Sequence, residues 1–254
     1  MKVRILGCGT STGVPRIGND WGTCDPNEPK NRRRRVSILV SEGDARILID
    51  TTPDLRDQLL DARVATIDAV IWTHEHADHA HGLDDLRQLF HNAGAPVAGY
   101  ASERCLASLT ARFDYVFQGK WGYPATVTPH RLTEKLAIGA IEIATVEQPH
   151  GGITSTGLRF THRGKRIGYA TDFNDLTEEM ERLFEGIDLW IVDALRHRPH
   201  PTHNHLERTL GYIERLKPRR AVLTHMDNSM DYRSLLGQLP PHVEPGYDGM
   251  EIEL

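Results

Sequence analysis

Four potential metal ligands fall within six residues, in His74-Glu75-His76-Ala77-Asp78-His79, directly after the apolar run Ala69-Val70-Ile71-Trp72. A β-rich apolar run ending in such a cluster reads as a buried strand that delivers ligands into a loop and the start of a helix. Were the segment helical, His74 and His76 would lie about 200° apart around the axis and could not share an ion. In an extended or turning backbone, residues two apart can face one cation while Asp78 and His79 turn towards a second. Imidazole nitrogen and carboxylate oxygen suit zinc, manganese or iron. The bland alternative is a polar loop that carries several histidines.

The rest of the chain must supply a scaffold for that cluster, and its composition allows one. With 254 residues, 39% of them hydrophobic, a sizeable core is expected. A formal charge of −5, counting the 14 histidines as neutral, argues against broad nucleic-acid binding and against DNA as a partner. Three cysteines without framework spacing point to a reducing compartment. No apolar run approaches the roughly 18 residues needed to span a membrane. The apolar stretch before Cys8 is too short for a signal peptide, so a cytoplasmic location is expected.

Strands delivering functional side chains recur along the sequence. Lys2 to Leu6 reads as a strand leading into the glycine-punctuated loop Gly7 to Pro15, which lacks a nucleotide fingerprint. Arg16 to Asn31 reads as an exposed loop. Arg32 to Arg35 then precede a hairpin of Val36–Val40 and Ala45–Asp50, so Asp50 ends a strand. Helices are expected over 52–62, 82–90, 102–112 and 176–184, and from Leu206 onward. Further strands are expected at 96–100, 136–138, 141–146, 158–160, 165–170, 189–193 and 221–224. That pattern leaves His150 in a loop after a strand, and Asp172 and His225 at strand ends. His197, His200, His203 and His205 share a proline-broken loop. Without a linker or sequence repeat, residues 1–254 read as one α/β domain of two mixed sheets packed face to face with helices outside.

The spacing H-x-H-x-D-H resembles the signature of the metallo-β-lactamase superfamily, whose fold is a four-layer αββα sandwich. That resemblance implies that His74, His76 and His150 hold one divalent ion, that Asp78, His79 and His225 hold another, and that Asp172 bridges them. The ions would be Mn2+ or Zn2+. Asp50 would orient a ligand histidine or the metal-bound water from behind. Gly7-x-Gly9-Thr10, Gly13-Val14-Pro15, Asn31-Arg32-Arg33 and Tyr247-Asp248-Gly249-Met250-Glu251-Ile252 resemble the phosphoribosyl cyclic phosphate phosphodiesterases of the carbon–phosphorus lyase pathway. This implies hydrolysis of a small cyclic phosphodiester, phosphoribosyl or nucleotide-like, by a hydroxide held between the ions. Asp78 and His203 would be catalytic, with His203 protonating the departing sugar oxygen or binding phosphate. Arg33 and Arg34 are the expected anion-binding residues.

One departure stands out. Members of this group can hold a structural zinc with three early cysteines and a later histidine, but these positions read Asn19, Trp21, Cys24 and Asn228, so no such ion is expected. Competing readings are a tRNA 3′-end endonuclease-like ribonuclease, a thioester or lactone hydrolase of the same fold, and a nucleotide-binding protein without turnover. The expected partner is a small phosphorylated or nucleotide-like substrate rather than DNA or a membrane, and a homodimer is left open.

Overall fold

Near-continuous apolar runs such as Ile47-Leu48-Ile49 belong to strands covered on both faces, and the computed structural model, which describes residues 1–254, places them so. The first sheet contains β1 (Lys2–Gly7), β2 (Ser37–Glu42), β3 (Ala45–Ile49), β4 (Ala69–Ile71), β5 (Val97–Ala101) and β6 (Val127–Arg131). The second contains β7 (Lys135–Ile138), β8 (Ile141–His150), β9 (Ile153–His162), β10 (Lys165–Ala170), β11 (Leu189–Asp193), β12 (Arg220–Thr224) and β13 (Val243–Pro245). A final strand, β14 (Glu251–Glu253), returns to the first sheet beside β1. The helices are α1 (Leu55–Ala62), α2 (Ala77–Ala80), α3 (Leu86–Ala93), α4 (Glu103–Arg112), α5 (Asp114–Gln118), α6 (Glu178–Phe184), α7 (Leu206–Leu216) and α8 (Tyr232–Leu236). None is long and apolar enough to cross a membrane.

Successive strand residues face opposite ways, and this sorts the apolar side chains into two cores. Ile38, Val40, Ile47, Ile49, Ala69 and Ile71 join Ile143, Leu158, Phe160, Ile167 and Tyr169 in the core between the sheets. Their neighbours Leu39, Leu48, Val70 and Trp72 instead meet Leu55 and Leu59 of α1, Leu86 and Leu89 of α3, and Leu109 of α4. The layers are therefore helix, sheet, sheet, helix, the αββα sandwich that the resemblance implies.

The two sheets repeat one topology. β1, β2 and β3 are antiparallel neighbours, after which β3, β4, β5 and β6 run parallel. Likewise β8, β9 and β10 are antiparallel and β10, β11, β12 and β13 parallel. The edges match as well, β14 pairing antiparallel with β1 as β7 does with β8. Asp50 after β3 is thus the topological counterpart of Asp172 after β10. No sequence repeat announces this, because the constraint is on which positions are apolar and not on which residue fills them.

Several element limits differ from those expected. The strand predicted over 141–146 extends to His150, which pairs with Ile153, so His150 ends a strand and does not lie in a loop. The helix predicted over 82–90 begins as a 3₁₀ turn, Leu83–Asp85, and becomes α only from Leu86. Gly82 docks on the Thr51–Thr52 backbone, its N–H bonding Thr51 O at 2.8 Å, where a Cβ would lie 1.9 Å from Thr52 O. The unpredicted strands β6 and β13 both contain a proline, Pro129 and Pro245. Each is the edge strand of its sheet, where a missing N–H is tolerated.

The loop predicted over 16–31 is less free than its composition suggests. Cys24, Glu28 and Asn31 are buried, and the segment is tied to residues 228–233. Thr23 N donates to Asn228 O at 2.9 Å, Asn228 Nδ2 to Asp20 Oδ2 at 3.2 Å, and Asn31 Nδ2 to Asp231 Oδ2 at 2.7 Å. Burial works against the Asp231 carboxylate, but the N–H groups of Ser234, Asn31 and Asp25 hold it down at about 2. These hydrogen bonds join the two segments whose counterparts in the resembled group can share a zinc.

Asp248 closes the chain ends on each other. Its Oδ1 accepts from Cys8 N at 3.1 Å and its Oδ2 from Arg34 N at 2.7 Å. Burial raises its carboxyl to about 7 despite those donors. A carboxyl raised on folding favours the folded state while protonated, so its contribution falls as pH rises from about 4 towards 7. Asp248→Asn removes this titration. In urea unfolding at pH 5 and pH 8, the variant's stability relative to the parent should be higher at pH 8; a difference independent of pH would show that Asp248 does not titrate there.

Candidate metal centre

The site lies at the carboxyl ends of the parallel strands of both sheets, where side chains from many segments can converge. The first sheet supplies Asp50 after β3 and His74, His76, Asp78 and His79 after β4; the second supplies His150, Asp172, Asp193 and His225 from β8, β10, β11 and β12. Asp50, Asp172 and His225 adopt positive φ, at 67°, 55° and 57°. Left-handed backbone at non-glycine residues costs about 1–3 kcal/mol each. The turn aims Asp172 and His225 at the shared centre and sets Asp50 behind His79.

Donor atoms gather in two overlapping groups. His74, His76 and His150 form one trio and Asp78, His79 and His225 another, the donor atoms within each lying inside 4.8 Å of one another. Asp172 stands between them. Its Oδ1 is 3.9 Å from His74 Nε2 and 3.7 Å from His150 Nε2, and its Oδ2 is 3.2 Å from His79 Nε2 and 3.5 Å from His225 Nε2. Asp78 Oδ2 lies 3.6 Å from His79 Nε2 and 3.5 Å from His225 Nε2. One carboxylate oxygen faces each trio, the arrangement of a bridging ligand.

A second ring of contacts aims these donors. Asp50 Oδ2 accepts from His79 Nδ1 at 2.7 Å, and both its oxygens accept from Thr73 Oγ1. Thr73 Oγ1 also lies 3.1 Å from His74 Nδ1. His150 Nδ1 donates to Thr202 O at 2.8 Å. With Nδ1 committed, Nε2 of His79 and of His150 is left to the centre.

Chemistry and burial test whether this set suits cations. Nε2 of His74, His79 and His225 is fully buried without a hydrogen-bond partner. An orphaned buried polar atom costs about 1–3 kcal/mol, and three converging on two carboxylates are matched by divalent cations with nitrogen and oxygen ligands. Burial pushes His74 and His150 down, keeping their lone pairs free. Burial also works against a charged His79, but Asp172, Asp50 and Asp78 outweigh it and raise that imidazole. The residues fit the divalent metals typical of this fold.

His203 stands at the edge of the centre, 12% exposed. Its Nδ1 is 3.0 Å from Asp193 Oδ2 and 3.8 Å from Asp172 Oδ1, and its ring stacks on His225 with centroids 4.8 Å apart. Burial lowers this imidazole, but Asp193 and then Asp172 overcome it and lift it to about 9. Asp193 was not among the residues singled out from sequence. Its signal was legible: it is an acid ending a buried strand, as Asp50 and Asp172 nearly do.

The arginine assignments require correction. Arg33 is only 2% exposed and faces inward, its guanidinium donating to Asp227 O, Met230 O and Asn31 Oδ1. Arg34 points to the opposite side of its segment and pairs with Asp61 at 2.6 Å. Neither presents its charge to the metal centre. Arg35, one residue further on, lines a cleft with Arg16 and Asp78 instead.

A family model described as the β-lactamase superfamily domain matches residues 45–226. The crystal structure of a new diphosphatase from the PhnP family is 34% identical, superposes with a TM-score of 0.89, and is covered to 97% by this chain, all of which is matched. Zinc-bound PqqB from Methylobacterium extorquens shares the fold at 20% identity and a TM-score of 0.80, with both chains fully covered. An octanoyltransferase of Porphyromonas gingivalis is 33% identical across 99% of this chain, which spans only 51% of that protein's length.

Asp50→Asn should weaken divalent-cation binding, because the amide cannot match a carboxylate as acceptor for His79 Nδ1–H. Loss of such a supporting contact lowers metal affinity by about 10–100-fold. Chelator competition measures this directly, and unchanged affinity would remove Asp50 from the support of His79.

Proposed function

Because the chain belongs to the β-lactamase superfamily and, within it, to the PhnP family, a hydrolase group, we propose that it is a phosphodiesterase acting on small cyclic phosphodiesters. On this reading His74, His76 and His150 would hold one divalent cation, Asp78, His79 and His225 a second, and Asp172 would lie between them. Manganese and zinc both suit the ligands. When bound, two such cations supply Lewis-acid charge that acidifies water and neutralises a phosphoryl group. Elemental analysis of metal-loaded protein should return about two ions per chain; a single equivalent would overturn the binuclear reading.

The observation that carries the proposal is the Asp193–His203 pair at 3.0 Å beside Asp172. The chain's own residues manage the proton of the leaving group. Asp193 accepts from His203 Nδ1, which sets the ring's orientation and leaves Nε2 as the nitrogen that can donate. A sugar alkoxide departs poorly unless it is protonated, and a positioned imidazolium supplies that proton in the transition state. Asp193 stabilises the charged ring, while Thr202, adjoining His203, holds His150 through its carbonyl. A metal-binding protein without turnover gives no reason for a paired imidazole at this position.

A second reading has a specific observation behind it. The 34%-identical neighbour is described as a diphosphatase, so the scissile bond here would be a phosphoric anhydride. A departing phosphate needs a proton far less than an alkoxide does, and His203 distinguishes the two cases. His203→Ala should lower turnover of cyclic sugar or nucleoside diesters by about 10²–10⁴-fold, and should lower turnover of bis-(p-nitrophenyl) phosphate much less. Metal content should stay at the parent level. Equal losses on both esters would assign His203 to phosphate binding or support of the centre. Diphosphate hydrolysis far exceeding diester hydrolysis in the parent would favour the anhydride reading.

A further inference from the structure

We propose that Arg112, at the end of α4, is a positioning residue for the metal ligand His76. The inference rests on the two-cation reading above and on no particular substrate. Ligand histidines are ordinarily aimed by a contact at the ring nitrogen that faces away from the metal. Within the first trio, His74 Nδ1 has Thr73 Oγ1 at 3.1 Å and His150 Nδ1 has Thr202 O at 2.8 Å. His76 has no such partner. Its ring makes a single polar contact, from Nδ1 to His150 Nε2 at 3.4 Å, and that atom belongs to the same trio. It is also the exposed member of the three. The direction of its ring is therefore set through the backbone that carries it.

Arg112 grips that backbone on both sides. Its Nη2 donates at 2.6 Å to Glu75 O, the carbonyl of the peptide that leads into His76. Its Nη1 lies 3.2 Å from Nε2 of His81, the residue that ends α2 beyond Asp78 and His79. One planar guanidinium thus spans residues 75 to 81, with three ligands inside the span. Its Nε turns back to Ser108 O of its own helix at 3.4 Å. The Glu75 side chain adds a second tie to α4, its Oε1 accepting from Arg104 Nε at 3.1 Å. The helix is a firm base for both, because Cys105 and Leu109 are buried in the core between the first sheet and its helices. A guanidinium that only lay near the centre would repel cations, and its removal would tighten their binding. A clamp on the ligand loop requires the opposite sign.

Cobalt(II), whose visible absorption reports its coordination, reads that sign without any turnover. Metal-free parent, Arg112→Ala, Arg112→Lys and His76→Ala are titrated with cobalt(II) against a chelator, and the thermal midpoint of each metal-free protein is recorded. The parent should take up two ions, and the step weakened in His76→Ala marks the first trio. Contacts that support metal ligands are worth about 10–100-fold in affinity. Arg112 is exposed, so Arg112→Ala should weaken that same step by about tenfold, at the low end of the range, and the other step much less. Arg112→Lys should fall between parent and alanine, since an ammonium reaches one anchor but does not bridge two. The metal-free midpoint should stay within about 2 °C of the parent, as for other surface substitutions. Tighter binding, equal weakening of both steps, or a lowered midpoint with unaltered affinities overturns the clamp. The two-cation reading fails separately. One ion per parent chain, weakened in both His76→Ala and Arg112→Ala, keeps the clamp and refutes that reading; two ions, neither disturbed in Arg112→Ala, do the reverse.

Discussion

A buried carboxylate that faces imidazoles on both sides organises this molecule. Asp172 is 2% exposed, with His74 and His150 near one oxygen and His79 and His225 near the other. Burial disfavours its charge, but His225, His79 and His203 together push its pKa well below the ordinary range. Such a group is tolerated only where positive charge surrounds it. His74 and His79 follow β4 in one sheet, whereas His150, Asp172 and His225 belong to the other. The cluster therefore exists only when the two sheets are packed, and the inter-sheet core holds them together.

The repeated topology explains how one fold builds an asymmetric site. Asp50 and Asp172 occupy matching places after β3 and β10, and both backbones turn through positive φ. Asp50 lies behind its histidine, bonded to Nδ1 of His79 and to Thr73. Asp172 reaches the front, facing Nε2 atoms from both trios. Equivalent strand ends thus provide a carboxylate that orients one histidine in one half and a carboxylate that faces both histidine trios in the other. Asp193 adds a third acid at the carboxyl end of β11, where it aligns His203 through Nδ1.

Beside this centre, the cleft lined by Arg16, Arg35 and Asp78 is shaped by segments distant in sequence. Residues 20–31 are hydrogen-bonded to 228–232, which anchors the loop that carries Arg16. Gly7 and Gly9 allow the first loop to lie flush on residues 33–35, since a Cβ at Gly7 would sit 2.1 Å from Arg35 O. That close approach, together with the Asp248 bonds to Cys8 and Arg34, sets where Arg35 emerges. The local glycine pattern and the closing Asp248 segment are thereby linked to that cleft through the backbone.

The sequence by itself determined the architecture and the order of candidate ligands. Apolar runs such as Ala69-Val70-Ile71-Trp72 specify buried strands, and polar groups placed just beyond them can only emerge at a sheet's rim. His74, Asp172 and His225 were legible for that local reason. It did not determine where Arg33, Arg34 and Arg35 point, because a run of four successive arginines carries no pattern that marks one as buried. Arg33 turns inward because carbonyls near residues 227 and 230 receive it, Arg34 because Asp61 lies on its side, and Arg35 because Asp54 draws it towards the cleft. Likewise, Asp193 became the partner of His203 only when a loop broken by prolines folded back over β11. Side chains dictated by strand period could be read from neighbouring residues; those dictated by acceptors between 10 and 197 positions away were decided by tertiary packing alone.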